Sequence, residues 1–222
     1  YWWLNSGGQL VLKNGMGQTL QGMLLAGSKW QRLYKAANPV DTEDGYRPQN
    51  IFRLVTRSQW HIIQQELYFR IRHINMAASP QRNASNGILL MSRYKPDGQT
   101  LYYTGLRVDG YAVIKKKVNG AYATLAYKQV FPVNVPYHVA SNPNLIPLNT
   151  WMGLRSVVKN LPGGSVGITL WADLAGTGVW TEIASAVDTG AGGKPVIGDK
   201  GYAGIRTDFM DVEFDDYRLR EL

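Results

Sequence analysis

Residues Leu101–Ala126, LYYTGLRVDGYAVIKKKVNGAYATLA, constrain the chain most. Three short runs rich in β-branched and aromatic residues are separated by Val-Asp-Gly and Val-Asn-Gly. Asp-Gly and Asn-Gly readily supply the positive φ angles of tight hairpin turns, so the stretch reads as a three-stranded antiparallel meander. Its middle strand sets Tyr111, Val113, Lys115 and Lys117 against Ala112, Ile114 and Lys116. Cations on both faces of one strand end predict an edge strand or a solvated rim.

The rest of the chain repeats the theme. Gln65–Ile74 places Leu67, Phe69 and Ile71 on one side and Glu66, Tyr68, Arg70 and Arg72 on the other. Such segregation with a period of two means one buried and one wet face. Gly87–Tyr94 is almost wholly apolar, as a strand buried on both faces would be. Further strands are expected at Ile51–Val55, Met152–Lys159, Ser165–Asp173, Trp180–Ala184, Gly201–Thr207 and Asp211–Arg220, with N-terminal strands at Gln9–Leu12 and Leu20–Leu25 within residues 1–33. Tyr1-Trp2-Trp3 is expected to pin the terminus onto the body rather than to bind a ligand. Residues 34–49 read as a long polar loop, and Phe131–Pro147, with four prolines, as another that no ladder could accommodate. No helix is expected.

At 222 residues and 45% hydrophobic, the chain suffices for one large β domain spanning residues 1–222. It has no Cys, which excludes disulfides, thiolate metal sites and cysteine catalysis. No apolar run approaches the roughly 20 residues that span a bilayer. The net charge of +8 favours anionic partners. The cations are mostly scattered and no recognition motif accompanies them, which disfavours nucleic acid. Gly190–Gly193 does not follow a strand and open a helix, so it is no phosphate loop.

Several of these segments, Ile88–Tyr94, Tyr102–Arg107 with Asp109-Gly110, the lysine strand and Asn119-Gly120, resemble concanavalin A-like lectin/glucanase jelly-roll domains, nearest the laminin-G-like and family-16-related group. Asn149-Thr150-Trp151, Gly201–Arg206 and Val212–Leu219 continue the resemblance, which covers residues 50–222. It implies an all-β, two-sheet antiparallel jelly-roll sandwich with one concave face able to cradle a glycan. Many members are non-catalytic sugar-binding modules of larger multidomain extracellular proteins. The expectation is therefore an extracellular or cell-surface carbohydrate-binding module for a polysaccharide, with an acidic, uronate-containing one suited to the charge. Fold alone assigns no chemistry.

The candidate binding residues are Tyr68, Tyr103, Trp60 and Trp171 as platforms, with Arg70, Arg72 and Arg107 for acidic groups. Cross-strand charge pairs on a solvated sheet would give Arg70 and Arg72 the same pattern. The alternative is a polysaccharide lyase, in which a cation stabilises the developing uronate charge and Tyr or His moves protons. Its candidates are Tyr68, Arg70, Arg107 and the neighbours Tyr137 and His138. The Arg-x-Glu-x-Arg, Gln-Ile-His and Tyr-Phe-Lys-x-Gly strands of jelly-roll alginate lyases are absent. A glycoside hydrolase ranks below both, since the Glu-x-Asp-x-x-Glu strand of the superfamily's glycosidases is also missing. Phe214-Asp215-Asp216-Tyr217 resembles the closing strand that helps hold a structural calcium in related modules, making Asp215 and Asp216 candidate ligands.

Overall fold

Alternating strands with one apolar side have to bury that side, and two sheets stacked face to face do so. The computed structural model, which describes residues 1–132 and 134–222, shows this arrangement. Fourteen strands run in chain order: β1 Trp2–Leu4, β2 Leu10–Lys13, β3 Met16–Thr19, β4 Phe52–Trp60, β5 Ile63–Ile74, β6 Gly87–Tyr94 and β7 Leu101–Arg107. Then come β8 Tyr111–Val118, β9 Ala121–Gln129, β10 Met152–Asn160, β11 Val166–Asp173, β12 Thr181–Asp188, β13 Gly201–Thr207 and β14 Met210–Glu221. One seven-stranded sheet has the order β1-β4-β13-β6-β7-β8-β9 and the other β12-β11-β10-β5-β14-β3-β2, with every pairing antiparallel. We call them the first and second sheets.

The core lies between them. Phe52, Leu54, Ile88, Leu90, Tyr102 and Ile114 point inward from the first sheet; Leu67, Phe69, Ile71, Leu154, Ile168 and Val212 meet them from the second. Each such fully buried aliphatic or aromatic side chain contributes roughly 1.5–3 kcal/mol of transfer free energy. The meander forms as its turns dictate, with Asn119 at φ 49° and Gly120 at φ 82° in the two-residue β8–β9 loop. No helix among the described residues is long and apolar enough to cross a membrane.

Three expectations are corrected. A helix, α1, spans Lys29–Ala37, across the junction read as strands followed by loop. Ser28 caps it by accepting from the Gln31 N–H at 3.2 Å, and Ser-x-x-Gln is a helix-start spacing. Only Gln31 and Tyr34 are buried, too few apolar positions for a period to show. The Tyr34 hydroxyl donates to the Ile51 carbonyl and accepts from the Ile51 N–H, both at 3.1 Å; Asn38 Nδ2 donates to the Ser6 carbonyl at 2.6 Å. The helix thus ties the N-terminal segment to the start of β4. Leu20–Leu25 forms no strand; the N-terminal hairpin is β2–β3.

The lysine strand is the third correction. β8 is not an edge, since β9 flanks it. Lys116 is not solvated either; its side chain is fully buried against Asp188 on β12. The Phe131–Pro147 expectation holds apart from residue 133, which lies outside the description: this stretch carries only an isolated bridge between His138 and Asn142. Trp2 pins the N-terminus as expected, packing edge-on against Tyr217 with ring centroids 4.8 Å apart.

Candidate functional site

The sandwich has two outward faces, and the sequence-derived candidates divide between them. Tyr68, Arg70 and Arg72 on β5 and Trp171 on β11 belong to the second sheet; Tyr103 and Arg107 on β7 belong to the first. The single surface expected for them does not exist. Trp60 ends β4, half-buried opposite Gly201, with its indole N–H unpartnered.

On the second sheet the candidate arginines Arg70 and Arg72 already face a carboxylate. Arg70 lies directly across from Glu213 and bonds it at 2.5 and 2.8 Å, with Arg72 at 3.9 Å from the same carboxylate. Glu66 faces Arg155, which it meets at 2.6 Å. The Trp151 ring lies 4.8 Å from the Arg70 guanidinium and the Trp180 ring 4.1 Å from that of Arg155. The Tyr68 hydroxyl donates to Asp173 at 2.9 Å. Burial and then that bond push the Tyr68 pKa up, so the phenol keeps its proton. This face is a self-satisfied lattice of cross-strand ion pairs, each worth about 0–1 kcal/mol where solvent reaches it.

The lyase set is also dispersed. Arg107 is spent on Asp109 (2.6 Å) and the Ala84 carbonyl (3.0 Å). His138 sits exposed in its loop, its Nδ1 accepting from the Ala140 and Ser141 N–H groups at 3.3 and 3.2 Å. Tyr137 is half-buried against the core, and Tyr68 and Arg70 are on the other sheet. Asp215 accepts from the Asp216 N–H and Asp216 pairs with Arg218 at 3.3 Å. Calcium takes six to eight oxygens, whereas no group of three or more His, Asp or Glu able to hold a metal occurs among the described residues.

The outward face of the first sheet is different. Register aligns Trp3, Val55, Gly204, Met91, Tyr103 and Lys115 in one row across six strands. Val55, Leu89, Met91, Leu101 and Val113 form a dry second apolar cluster there with Tyr94 and Tyr103. Above it, between the loops around Asp41 and Asn83, opens a cleft of about 690 Å³ lined by Tyr103, Lys115, Tyr122, Arg206 and Asp208 among others. Tyr103, 3% exposed, is floor rather than platform. Its hydroxyl accepts from Arg206 Nη1 at 2.8 Å, and Arg206 Nη2 lies 2.9 Å from Asp208. Tyr122 stacks 6.3 Å from Tyr103 yet is 52% exposed. Lys115 and Lys117 stand 5.9 and 5.3 Å from the Tyr122 ring centroid.

Neither lysine meets a carboxylate among the described residues. Lys117 donates to the Gly98 carbonyl at 2.9 Å, whereas the Lys115 ammonium has no hydrogen-bond acceptor among the described residues. Burial, and after it the charges of Arg107 and Arg206, pull the Lys115 pKa below the ordinary lysine value. Burial and then Arg206 do the same to Lys117. Lys115, Lys117, Tyr122 and Arg206 are the residues the sequence reading missed. The signal was present: a two-residue loop at Asn119-Gly120 necessarily sets Lys117 opposite Tyr122.

No protein-family model and no curated protein sequence matches the chain. Among solved structures, it is similar to the carbohydrate-binding module CBM66 from Bacillus subtilis, with a TM-score of 0.60 at 11% identity over 99% of this chain and 95% of that one. A Bacillus subtilis protein of unknown function with a galectin-like fold gives 0.53 at 11% identity, over 99% and 89%. At such identities the likeness is one of fold, and the fold is that of these antiparallel β-sandwiches.

Proposed function

We propose that the chain is a carbohydrate-binding module of the concanavalin A-like kind that takes an acidic polysaccharide in the cleft of the first sheet, at the cell surface or outside it, as part of a larger extracellular protein. The observation that carries this is the Lys115 ammonium, which has no hydrogen-bond acceptor among the described residues, beside the half-exposed Tyr122 ring. A sugar presents C–H faces to an aromatic ring, and a uronate presents a carboxylate to a cation. The fold shared with a carbohydrate-binding module supports the same reading.

Affinity electrophoresis through gels containing alginate, pectate or neutral β-glucan tests it. The acidic polymers are expected to retard the protein, less so at higher salt because exposed charge is screened. Tyr122→Ala is expected to weaken binding roughly fivefold to tenfold, the worth of one aromatic contact. Lys115→Ala is expected to cost about tenfold or more, as loss of a charge-assisted hydrogen bond would. The depressed Lys115 pKa gives a pH signature. Its ammonium is lost at lower pH than that of an ordinary lysine, so retention falls early as pH rises, and Lys115→Arg moves the fall upward. Equal retardation by neutral and acidic gels, or unchanged binding by both Ala variants, would sink the proposal.

A further inference from the structure

The other end of the same row carries a second aromatic–cation cradle. Trp3, Arg57 and Tyr202 line a groove of about 370 Å³. Trp3 is opposite Val55 on β4, and the alternation that sends Val55 outward sends Arg57 outward too. Unlike Trp2, which is fixed against Tyr217, Trp3 is 38% exposed. Arg57 uses Nε on the Trp2 carbonyl at 3.1 Å and meets no carboxylate among the described residues, which leaves its two Nη groups to a ligand. Between the two ends the floor is closed: the Tyr94 hydroxyl and Arg53 Nε both donate to Asn5 Oδ1 beside the dry apolar cluster. Trp3 on β1 and Lys115 on β8 are five strand spacings apart, roughly 24 Å at about 4.8 Å per spacing.

The geometry points to a second contact for the same acidic glycan at Trp3, Arg57 and Tyr202, so that the first sheet grips the interior of an extended polymer across its width rather than a chain end. This rests on the glycan reading of the cleft. Two cradles that far apart cannot share a short ligand. A disaccharide occupies one of them; only a longer chain spans both and gains from the linkage. Arg57 and Lys115, one at each end and neither paired with a carboxylate among the described residues, suit a polymer with charge on repeated units.

Titration calorimetry with oligogalacturonates or oligomannuronates, from disaccharide through octasaccharide to polymer, tests this on the intact chain. Trp3→Ala and Arg57→Ala are expected to weaken polymer binding roughly fivefold to tenfold while leaving the shortest cleft-binding oligomer unchanged. Tyr122→Ala is expected to weaken binding at every length. Trp3→Phe keeps a ring and should recover most of the polymer affinity, which separates a lost contact from a loosened β1 strand; thermal melting of each variant checks the fold. If Trp3→Ala and Arg57→Ala bind polymer like the parent while Tyr122→Ala does not, the second contact is refuted and the cleft stands. If Tyr122→Ala is also without effect, or no acidic glycan binds, both fall together.

Discussion

Lys116→Met is expected to lower the unfolding free energy by about 3–5 kcal/mol at neutral pH, because it strands a buried carboxylate. Lys116 and Asp188 are both 0% exposed, with Nζ 2.9 and 3.1 Å from the two carboxylate oxygens. Nζ also donates to the Lys194 and Pro195 carbonyls at 2.7 and 3.2 Å. Asp188 accepts from the Tyr102 hydroxyl at 2.7 Å and from the Gly190 and Ala191 N–H groups at 3.0 and 3.2 Å. The site is fully hydrogen-bonded, so removing either ion leaves several orphaned groups. Asp188→Ala should cost a similar amount. An apolar pair at both positions should recover only part of the loss, because the Tyr102, Gly190 and Ala191 donors would remain unsatisfied. Urea denaturation followed by circular dichroism measures all three. As a contrast, Arg155→Ala on the solvated second-sheet face should cost about 1 kcal/mol or less through its ion pair. Equal effects at both sites would refute the distinction between buried and exposed pairs.

The same clasp makes stability fall in acid. Burial alone would raise the Asp188 pKa, but the Lys116 ammonium, the Tyr102 hydroxyl and two backbone donors hold it below the usual carboxylate value. A carboxyl with a lower pKa folded than unfolded contributes stability above its unfolded value, near 4, and loses it as pH falls through the folded value. Asp188→Asn removes that contribution, so the acid limb of its stability curve is expected to be shallower than that of the parent.

How far the fold and site were legible follows from which interactions are local. The meander and the alternation of β5 were readable because turn chemistry and a period of two are properties of short segments. The sheet to which each strand belongs was not. β13 inserts between β4 and β6, and β14 lies against β5, pairings between distant parts of the chain. Alternation shows that Tyr68 and Arg70 share a face, and that Tyr103 and Arg107 share one. It cannot show that the two faces point in opposite directions. Lys116 misled for the same reason: its counter-ion lies 72 residues away, and a lysine with no visible partner reads as solvated. Lys115 and Tyr122 were within reach, because the hairpin register that pairs their strands is set by a two-residue turn.

Arg93→Ala is expected to be as damaging as Lys116→Met, about 3–5 kcal/mol, by combining a cavity with orphaned acceptors. Arg93 is 1% exposed and lies in the left-handed region at φ 53°. Its guanidinium donates to the Ile197 carbonyl at 2.5 Å, the His61 carbonyl at 2.9 Å and Asn160 Oδ1 at 2.7 Å, with no carboxylate among them. Burial accordingly lowers its pKa, and three acceptors compensate a charge that would otherwise be costly. β13 begins against it so closely that a Cβ at Gly201 would lie 2.4 Å from the Arg93 carbonyl carbon. Together with Lys116, which holds the Lys194 and Pro195 carbonyls, and Tyr102, which accepts from the Ile197 N–H at 3.1 Å, it fastens a segment with no strand of its own. Arg93→Lys keeps the charge but lacks the planar fork that reaches three separated acceptors, so an intermediate loss is expected. Amide exchange in the Arg93→Lys variant should quicken around Lys194–Ile197 while its retention by acidic glycan stays that of the parent, since Arg93 lines neither cradle. Parent-like stability in Arg93→Ala would mean that packing, not this polar clasp, holds the segment in place.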